Sequence, residues 1–231
     1  KKGVTFEKAF NDILLLDTTI YLMTFLKRRH KNIIIKDFKK NKYACNDWKK
    51  YNGEERIKDR SFLICKREAS KDSFMNIFKN IYTIDNGNKN ALFPFLEFDA
   101  KQSSLEIKFL EFYKALEYIK YQENFKKGKG KNNLFLLDIL KSNKSLKDRF
   151  FKNQAEEEIE EEIRSLRNYF SHEGYYIDKL PIKQNGKLKR EKTIDPQWLY
   201  DAFYFIRICA YIEIYKLCGI DVKWEDIINN F

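Results

Sequence analysis

The sequence predicts an all-α protein, a bundle of long helices that carries one small β-hairpin insertion near residues 176–194. Glycine and proline are scarce, at 8 and 3 of 231 residues, and this scarcity favours long helices over many short strands. Apolar residues recur at the three- and four-residue spacing of helices in several segments. The pair Asn185-Gly186, between two arms with alternating apolar residues, is a strong signal for a hairpin.

The length fits one large domain or two small ones. We expect a single helical domain over residues 1–231, with a possible N-terminal helical subregion at 1–100 and a core at about 103–220. The first helix is predicted at Thr5–Arg29, where apolar residues follow helical spacing up to the cationic end "KRRHK". Residues 31–53 are basic with interleaved aromatic residues, and both a broken helix and an irregular RNA-facing segment fit them.

Shorter helices are predicted at Glu54–Lys66 and at Ser70–Tyr82, the second with a serine N-cap. Ser103 and Glu106 have capping-box spacing and predict a helix to about Phe125. Its apolar stripe consists of Leu105, Phe109, Phe112, Leu116 and Ile119. The sequence "KKGKGK" at 126–131 then ends the helix, either as a solvated linker or as a phosphate-contacting loop.

A short buried helix is predicted over 134–140, and a longer one from Ser145 to His172 with a bend near Asn153. One apolar face of the longer helix carries Ile159, Ile163, Leu166 and Phe170. Six glutamates lie between 156 and 162, ahead of that face. We interpret them as a solvated face near the N-terminal end of a helix, where the dipole favours anions.

The hairpin arms are predicted to carry four apolar residues on one side, Ile177, Leu180, Ile182 and Leu188. Asp195 is then a predicted N-cap with Pro196 at the first helical position. This last long helix should end at Leu217 or Cys218, closed by Gly219. Apolar residues surround most of its circumference, which is typical of a central helix with neighbours on several sides.

The formal charge of +11, from 45 lysines and arginines against 34 acidic residues, favours a nucleic-acid partner. We predict that the basic segment 27–50 and the hairpin tip hold the RNA backbone. The alternative for the hairpin is that it only increases solubility. The predicted RNA-binding cations are Lys27, Arg28, Arg29, Lys39, Lys40, Lys183, Lys187, Lys189 and Arg190. Tyr43, Trp48 and Tyr51 are candidates for base stacking, with burial in the core as the alternative.

The four cysteines have no zinc-site spacing, and His30 and His172 are the only histidines. We therefore expect no metal and no cofactor, and we interpret the cysteines as reduced thiols of a cytoplasmic protein. No apolar run approaches the roughly 18 to 20 residues of a membrane span. We expect neither a signal peptide nor a membrane partner.

The stretch "IRSLRNYFSHEGYY" at 163–176 places Arg167, Asn168 and His172 at the end of a strongly patterned helix. Metal-independent RNA cleavage needs a proton taken from the ribose 2′-OH and a proton supplied to the 5′ oxygen, and histidine can perform either transfer. A guanidinium can hold the negative charge of the phosphorane, and an amide can orient the imidazole. The alternative is that His172 is an ordinary surface residue at a helix end.

"RNYFSH" resembles the Arg-x4-6-His motif of the HEPN superfamily, and "LRNYFSH" is similar to the HEPN motifs of type VI CRISPR ribonucleases. Similar motifs occur in abortive-infection and toxin proteins. The resemblance implies a HEPN-like helical bundle, RNA cleavage that leaves a 2′,3′-cyclic phosphate, and a composite site formed by two motifs. It implies that Arg167 and His172 are catalytic and that Asn168 supports them. Since this chain contains one such motif, the expected assembly is a homodimer.

The leading hypothesis is therefore a homodimeric single-strand endoribonuclease in prokaryotic antiviral defence or acting as a toxin, with an antitoxin as a possible partner. One alternative is a non-catalytic helical module that binds RNA or protein. Another is a fragment of a larger RNA-targeting effector, whose upstream part would sense a ligand or guide.

Overall fold

The protein is described by a computed structural model that covers residues 12, 15, 16, 19, 33–36, 42–45, 71–84, 104–126, 135–174, 177–184 and 187–228. Most of these residues are helical, which confirms the predicted mostly helical class. None of the described helices combines the length and the apolar character that crossing a membrane requires.

Eleven elements are described with full bounds. They are strands β1 (Ile33–Lys36) and β2 (Lys42–Cys45), helices α1 (Lys71–Thr83), α2 (Leu105–Lys126), α3 (Phe135–Ser142), α4 (Lys144–Phe150) and α5 (Glu156–His172), strands β3 (Lys179–Gln184) and β4 (Lys187–Thr193), and helices α6 (Pro196–Leu217) and α7 (Trp224–Ile228). The chain divides into two compact units, one of residues 1–84, 217–220 and 230–231, the other of residues 85–216 and 221–229.

The first unit contains an antiparallel pair that was not predicted. Strands β1 and β2 pair from Ile33 opposite Cys45 to Lys36 opposite Lys42. The expectation of a broken helix or irregular segment is wrong for these eight residues. Three consecutive isoleucines at 33–35 explain the difference, because β-branched side chains suit a pleated strand better than a helix.

Of the predicted first helix, positions 12, 15, 16 and 19 are described, and all four are helical. Buried Thr19 donates its hydroxyl hydrogen bond to the Leu15 carbonyl at 2.8 Å, one helical turn earlier. The helix predicted at Glu54–Lys66 lies outside the described residues. Helix α1 agrees with the helix predicted at 70–82 to within one residue at each end.

The predicted end of the last long helix is confirmed. Gly219 has φ +71°, a conformation that suits glycine after a helix terminus. Within the first unit, Asn80 Nδ2 donates a 2.7 Å hydrogen bond to the Cys218 carbonyl, which lies just beyond the helix. A Cβ at position 219 would lie 2.5 Å from that same amide nitrogen, so a larger residue there would displace Asn80 from its hydrogen bond with Cys218.

In the second unit, α2 buries Phe109, Phe112, Leu116 and Ile119, as its predicted stripe requires, whereas Leu105 is half-buried. The capping box was predicted one residue too early. Ser104 is the residue before the helix, and its Oγ accepts a 3.4 Å hydrogen bond from the Ile107 amide. Glu106 therefore occupies the second helical position, one short of the position that a capping box needs.

Helices α4 and α5 replace the single bent helix that was predicted from Ser145 to His172. The chain leaves the helical conformation after Phe150 and re-enters it at Glu156. Asn153, where the bend was expected, has φ +62°, which an uninterrupted helix cannot contain. The predicted apolar face of α5 is confirmed, since Ile159, Ile163 and Leu166 are fully buried and Phe170 nearly so.

The predicted hairpin is confirmed as strands β3 and β4. They pair antiparallel from Lys179 opposite Thr193 to Gln184 opposite Lys187, which leaves two connecting residues. A register shift after Ile182 places Lys183 opposite Leu188, so Lys189 is the extra residue of a β-bulge.

The observed register overturns one detail of the hairpin prediction. Leu180 and Ile182 are buried, as expected, but Leu188 is 58% exposed. Cross-strand partners share a face of the pair, and Leu188 is the partner of Lys183 rather than of Ile182. The two-residue connection sets this pairing, so Leu188 projects on the face of Lys183, opposite to the face of Ile182.

Helix α6 is central, as its circumference of apolar residues predicted. Between Ala202 and Tyr215, buried residues lie on every side of the helix. It contacts α2 through the rings of Phe112 and Phe203, 5.6 Å apart, and through a 2.6 Å ion pair between Lys120 Nζ and the buried carboxylate of Glu213. These contacts fix α2 against the helix that follows the hairpin.

Candidate active site

The predicted catalytic side chains project from the last turns of α5. The buried residues Ile163, Leu166 and Phe170 hold this part of the helix, and the Phe170 ring meets the Phe109 ring of α2 edge-on at 5.7 Å. The helix continues without unwinding to His172, and the Glu173 amide still donates to the Tyr169 carbonyl at 2.8 Å. The directions of the polar side chains therefore follow regular helix geometry.

Arg167 lies on the side of α5 that faces α2. Its Nη2 is 3.5 Å from Glu117 Oε2, and its guanidinium carbon lies 5.8 Å from the centre of the Tyr113 ring. Its Nη1 donates a 3.0 Å hydrogen bond to Asn168 Oδ1. With 30% of its side chain exposed, Arg167 is anchored to α2 while one edge remains open to solvent.

Tyr113 lies beneath this arginine and is almost completely buried. Burial raises the pKa of its hydroxyl well above the usual range, and the Glu117 carboxylate raises it further, whereas Arg167 lowers it. The Tyr113 phenol is therefore neutral at physiological pH, and it contributes a ring face to Arg167 rather than a charge.

His172 is exposed and borders a small surface depression of about 120 Å³ between α5 and β3. Its lining includes Arg164, Asn168, His172, Glu173, Pro181 and Lys183. Arg167 does not line it. Four residues along a helix rotate the side chain by about 40° and five by about 140°, so Asn168 shares the side of His172 and Arg167 does not.

The three predicted residues are therefore linked through Asn168 and do not all line one pocket. Arg167 contacts Asn168 through a hydrogen bond, and Asn168 borders the same depression as His172. The chemistry available in one chain is an imidazole and an amide at a depression flanked by cations, with a guanidinium behind the amide.

The predicted RNA-binding cations have different positions. Lys27, Arg28, Arg29, Lys39 and Lys40 lie outside the described residues, as do Trp48 and Tyr51. Lys183 lines the depression, and Lys187 is exposed near the hairpin connection. The other two are engaged by α5, since Lys189 pairs with Glu161 at 3.1 Å and Arg190 pairs with Glu162 at 2.7 Å.

The glutamate run is only partly a solvated face, and for Glu160 and Glu162 that prediction is wrong, because these residues are 5% and 1% exposed. The Glu162 carboxylate accepts hydrogen bonds from Arg190 and from Lys192 of β4. Lys192 Nζ also lies 4.1 Å from the centre of the Trp198 ring in α6. A buried carboxylate therefore fastens the hairpin to α5, and a cation–π contact fastens it to α6.

Sequence reasoning missed three residues around the site. Arg164 precedes Asn168 by four residues and His172 by eight, so the spacing itself indicated a shared helix face. Glu117 and Lys192 carried no local signal, because each meets its partner only through tertiary packing.

Comparison of the chain with protein-family models, with curated protein sequences and with solved structures gives no match. Within the described part of the chain, no three side chains of the histidine, cysteine, aspartate or glutamate type are grouped as a metal site would need. Two cysteines are described with their side chains, Cys209 and Cys218, and both are buried free thiols. Burial raises the pKa of Cys218 to about 12, as expected of an unreactive packed thiol.

Proposed function

We propose that this chain is a metal-independent endoribonuclease of the HEPN type that cleaves single-stranded RNA. The observation that supports it best is that Asn168 links Arg167 to the depression beside His172. The amide of Asn168 accepts a hydrogen bond from Arg167 and borders the same open depression as His172. These residue types supply a proton carrier, an orienting amide and a phosphate-binding cation.

In the proposed reaction, the imidazole of His172 removes the proton from a ribose 2′-OH, and that oxygen attacks the adjacent phosphorus. Arg167 stabilises the resulting phosphorane, with Asn168 holding the guanidinium in place. The bond to the 5′ oxygen breaks, and that oxygen receives a proton. The products are a 2′,3′-cyclic phosphate and a 5′-hydroxyl end.

A homodimer is part of this proposal. One imidazole that has accepted the 2′ proton does not at the same time donate a different proton to the leaving oxygen. Arg167 also lies about 140° around α5 from His172, on the side of α2. A second copy of the chain would add both the missing proton donor and a guanidinium that approaches the phosphate from the opposite side.

By resemblance, the biological role that we propose is antiviral defence or toxin-like growth arrest through RNA damage. A non-catalytic RNA- or protein-binding module is the second candidate. It is favoured by the contacts of Arg167 with Glu117 and Tyr113, which are those of a structural arginine.

The test is incubation of the purified chain with labelled single-stranded RNA in EDTA. Wild-type protein should cleave the RNA and leave 2′,3′-cyclic phosphate ends, and His172→Ala should lower the rate by at least about 100-fold, the usual range for a general acid–base. His30→Ala, which removes the other histidine, is the control and should retain the wild-type rate. Cleavage that survives His172→Ala would contradict the proposal, and binding without cleavage by the wild type would favour the module.

A further inference from the structure

We propose that Arg164 of α5 and Lys183 of β3 form a phosphate-binding subsite for the RNA backbone beside His172. The inference rests on the proposed function, because it places the single strand at the same depression. It assigns to the hairpin a role in substrate binding that the α5 motif alone does not supply.

The helix geometry places one of the two cations. Arg164, Asn168 and His172 follow one another at four-residue intervals, so they form a row along one face of α5. All three line the depression. Arg164 is therefore about 12 Å along the helix axis from His172, from a rise of 1.5 Å per residue. Successive phosphates of a single strand lie several ångströms apart, so this row spans the backbone of about two nucleotides.

The hairpin places the other cation. Ile182 is completely buried, and Lys183, the next residue along β3, is exposed and lines the depression. Successive residues of a strand project to opposite faces, so the burial of Ile182 turns Lys183 outward, opposite the exposed Leu188. Among the described residues, no carboxylate lies within ion-pair distance of Lys183, so its ammonium is available to a ligand.

The remaining charges at the depression are consistent with an anionic ligand. Arg164 contacts Glu160 through Nε at 3.1 Å, and 47% of its side chain is exposed. Glu173 is the exposed carboxylate at the rim, beyond His172. Lys189 and Arg190 pair with glutamates of α5 and do not line the depression, so they hold the hairpin in position rather than contact the ligand.

The test measures binding of a fluorescent single-stranded RNA of about 20 nucleotides to His172→Ala protein at several salt concentrations. Adding Lys183→Ala should weaken binding about five- to tenfold and reduce the magnitude of the salt slope by about 0.7, the value for one lost phosphate contact on a single strand. Arg164→Gln should give a similar loss. The matched control is Lys179→Ala, an exposed lysine of the same strand that does not line the depression. It should change binding less than twofold.

Equal effects of Lys183→Ala and Lys179→Ala would overturn the subsite, and so would an absence of measurable RNA binding. Wild-type cleavage is scored separately, so the two proposals fail independently. Cleavage together with equal effects of the two lysines would retain the nuclease and reject the subsite. Selective loss on Lys183→Ala without any cleavage would retain the subsite and reject the nuclease.

Discussion

Arg167 donates a 3.0 Å hydrogen bond to the side-chain oxygen of its neighbour Asn168, although adjacent residues on a helix usually point about 100° apart. The contact forms because the long arginine side chain, held by Glu117 and Tyr113 on one side of α5, reaches the amide at the edge of the next face. Asn168 thereby contacts Arg167 and also borders the depression of His172.

Asn168→Ala should therefore separate the arginine from the depression. We expect RNA cleavage to fall at least about tenfold, since the lost contact is worth one charge-assisted hydrogen bond. Asn168 is exposed, so the free energy of unfolding should change by less than about 0.5 kcal/mol. The control is Ser171→Ala, an exposed residue of the same helix whose hydroxyl only bonds the Arg167 carbonyl. Equal activities of the two variants would show that Asn168 has no special role.

Under the proposed function, Glu117 would compete with an RNA phosphate for the guanidinium of Arg167, because the two residues form an ion pair. The pair is 3.5 Å long and partly exposed, so Glu117→Gln should cost less than about 0.5 kcal/mol of stability. Because the neutral amide releases Arg167, RNA affinity should rise about threefold in a fluorescence anisotropy titration. Glu111→Gln removes an exposed ion pair with Lys114 on the same helix and serves as the control. Weaker binding by Glu117→Gln would mean instead that Glu117 orients Arg167 for the substrate.

Glu162 is predicted to stabilise the hairpin far more than its neighbour Glu158 does. Both carboxylates contact Arg190, but Glu162 is buried and also pairs with Lys192, whereas Glu158 is 44% exposed. Glu162→Gln leaves two cations without their buried partner and should lower the free energy of unfolding by about 2 to 3 kcal/mol. Glu158→Gln should lower it by less than about 1 kcal/mol. Urea denaturation compares the two variants, and similar losses would contradict the assigned role of burial.

For Glu160, unlike Glu162, replacing the buried carboxylate with a neutral amide should not lower the stability of the fold. Burial raises the pKa of its carboxyl above the ordinary value, and this effect outweighs the lowering by Arg164. A raised folded-state pKa means that the fold favours the protonated form, so this residue's contribution to stability falls as pH rises above its unfolded value of 4.5. Glu160→Gln, which resembles the protonated acid, should be at least as stable as wild type at pH 7.5. Its advantage should shrink at pH 4.5, measured by urea denaturation at both values. A larger stability advantage of Glu160→Gln at pH 4.5 than at pH 7.5 would contradict a raised folded-state pKa for Glu160.

Local patterns predicted the helices well because each depends on residues close in the chain. The apolar face of α5, the Asp195 cap and the glycine that follows α6 are all signals within a few positions. The same patterns failed where two local solutions compete. Asn153 breaks a helix that apolar spacing alone continues, and isoleucines 33–35 form a strand inside a basic segment.

By itself, the sequence determined the mostly helical class, the hairpin near 176–194 and the placement of Arg167, Asn168 and His172 at the end of one helix, because helix periodicity is a local property. Only the tertiary structure decided that Arg167 meets Glu117, that Glu162 is buried under Arg190 and Lys192, and that Lys183 reaches the depression of His172. These contacts join residues about 10 to 50 positions apart. Packing and the cost of burying a charge determine which residues meet, and neither can be inferred from the spacing of nearby residues in the sequence.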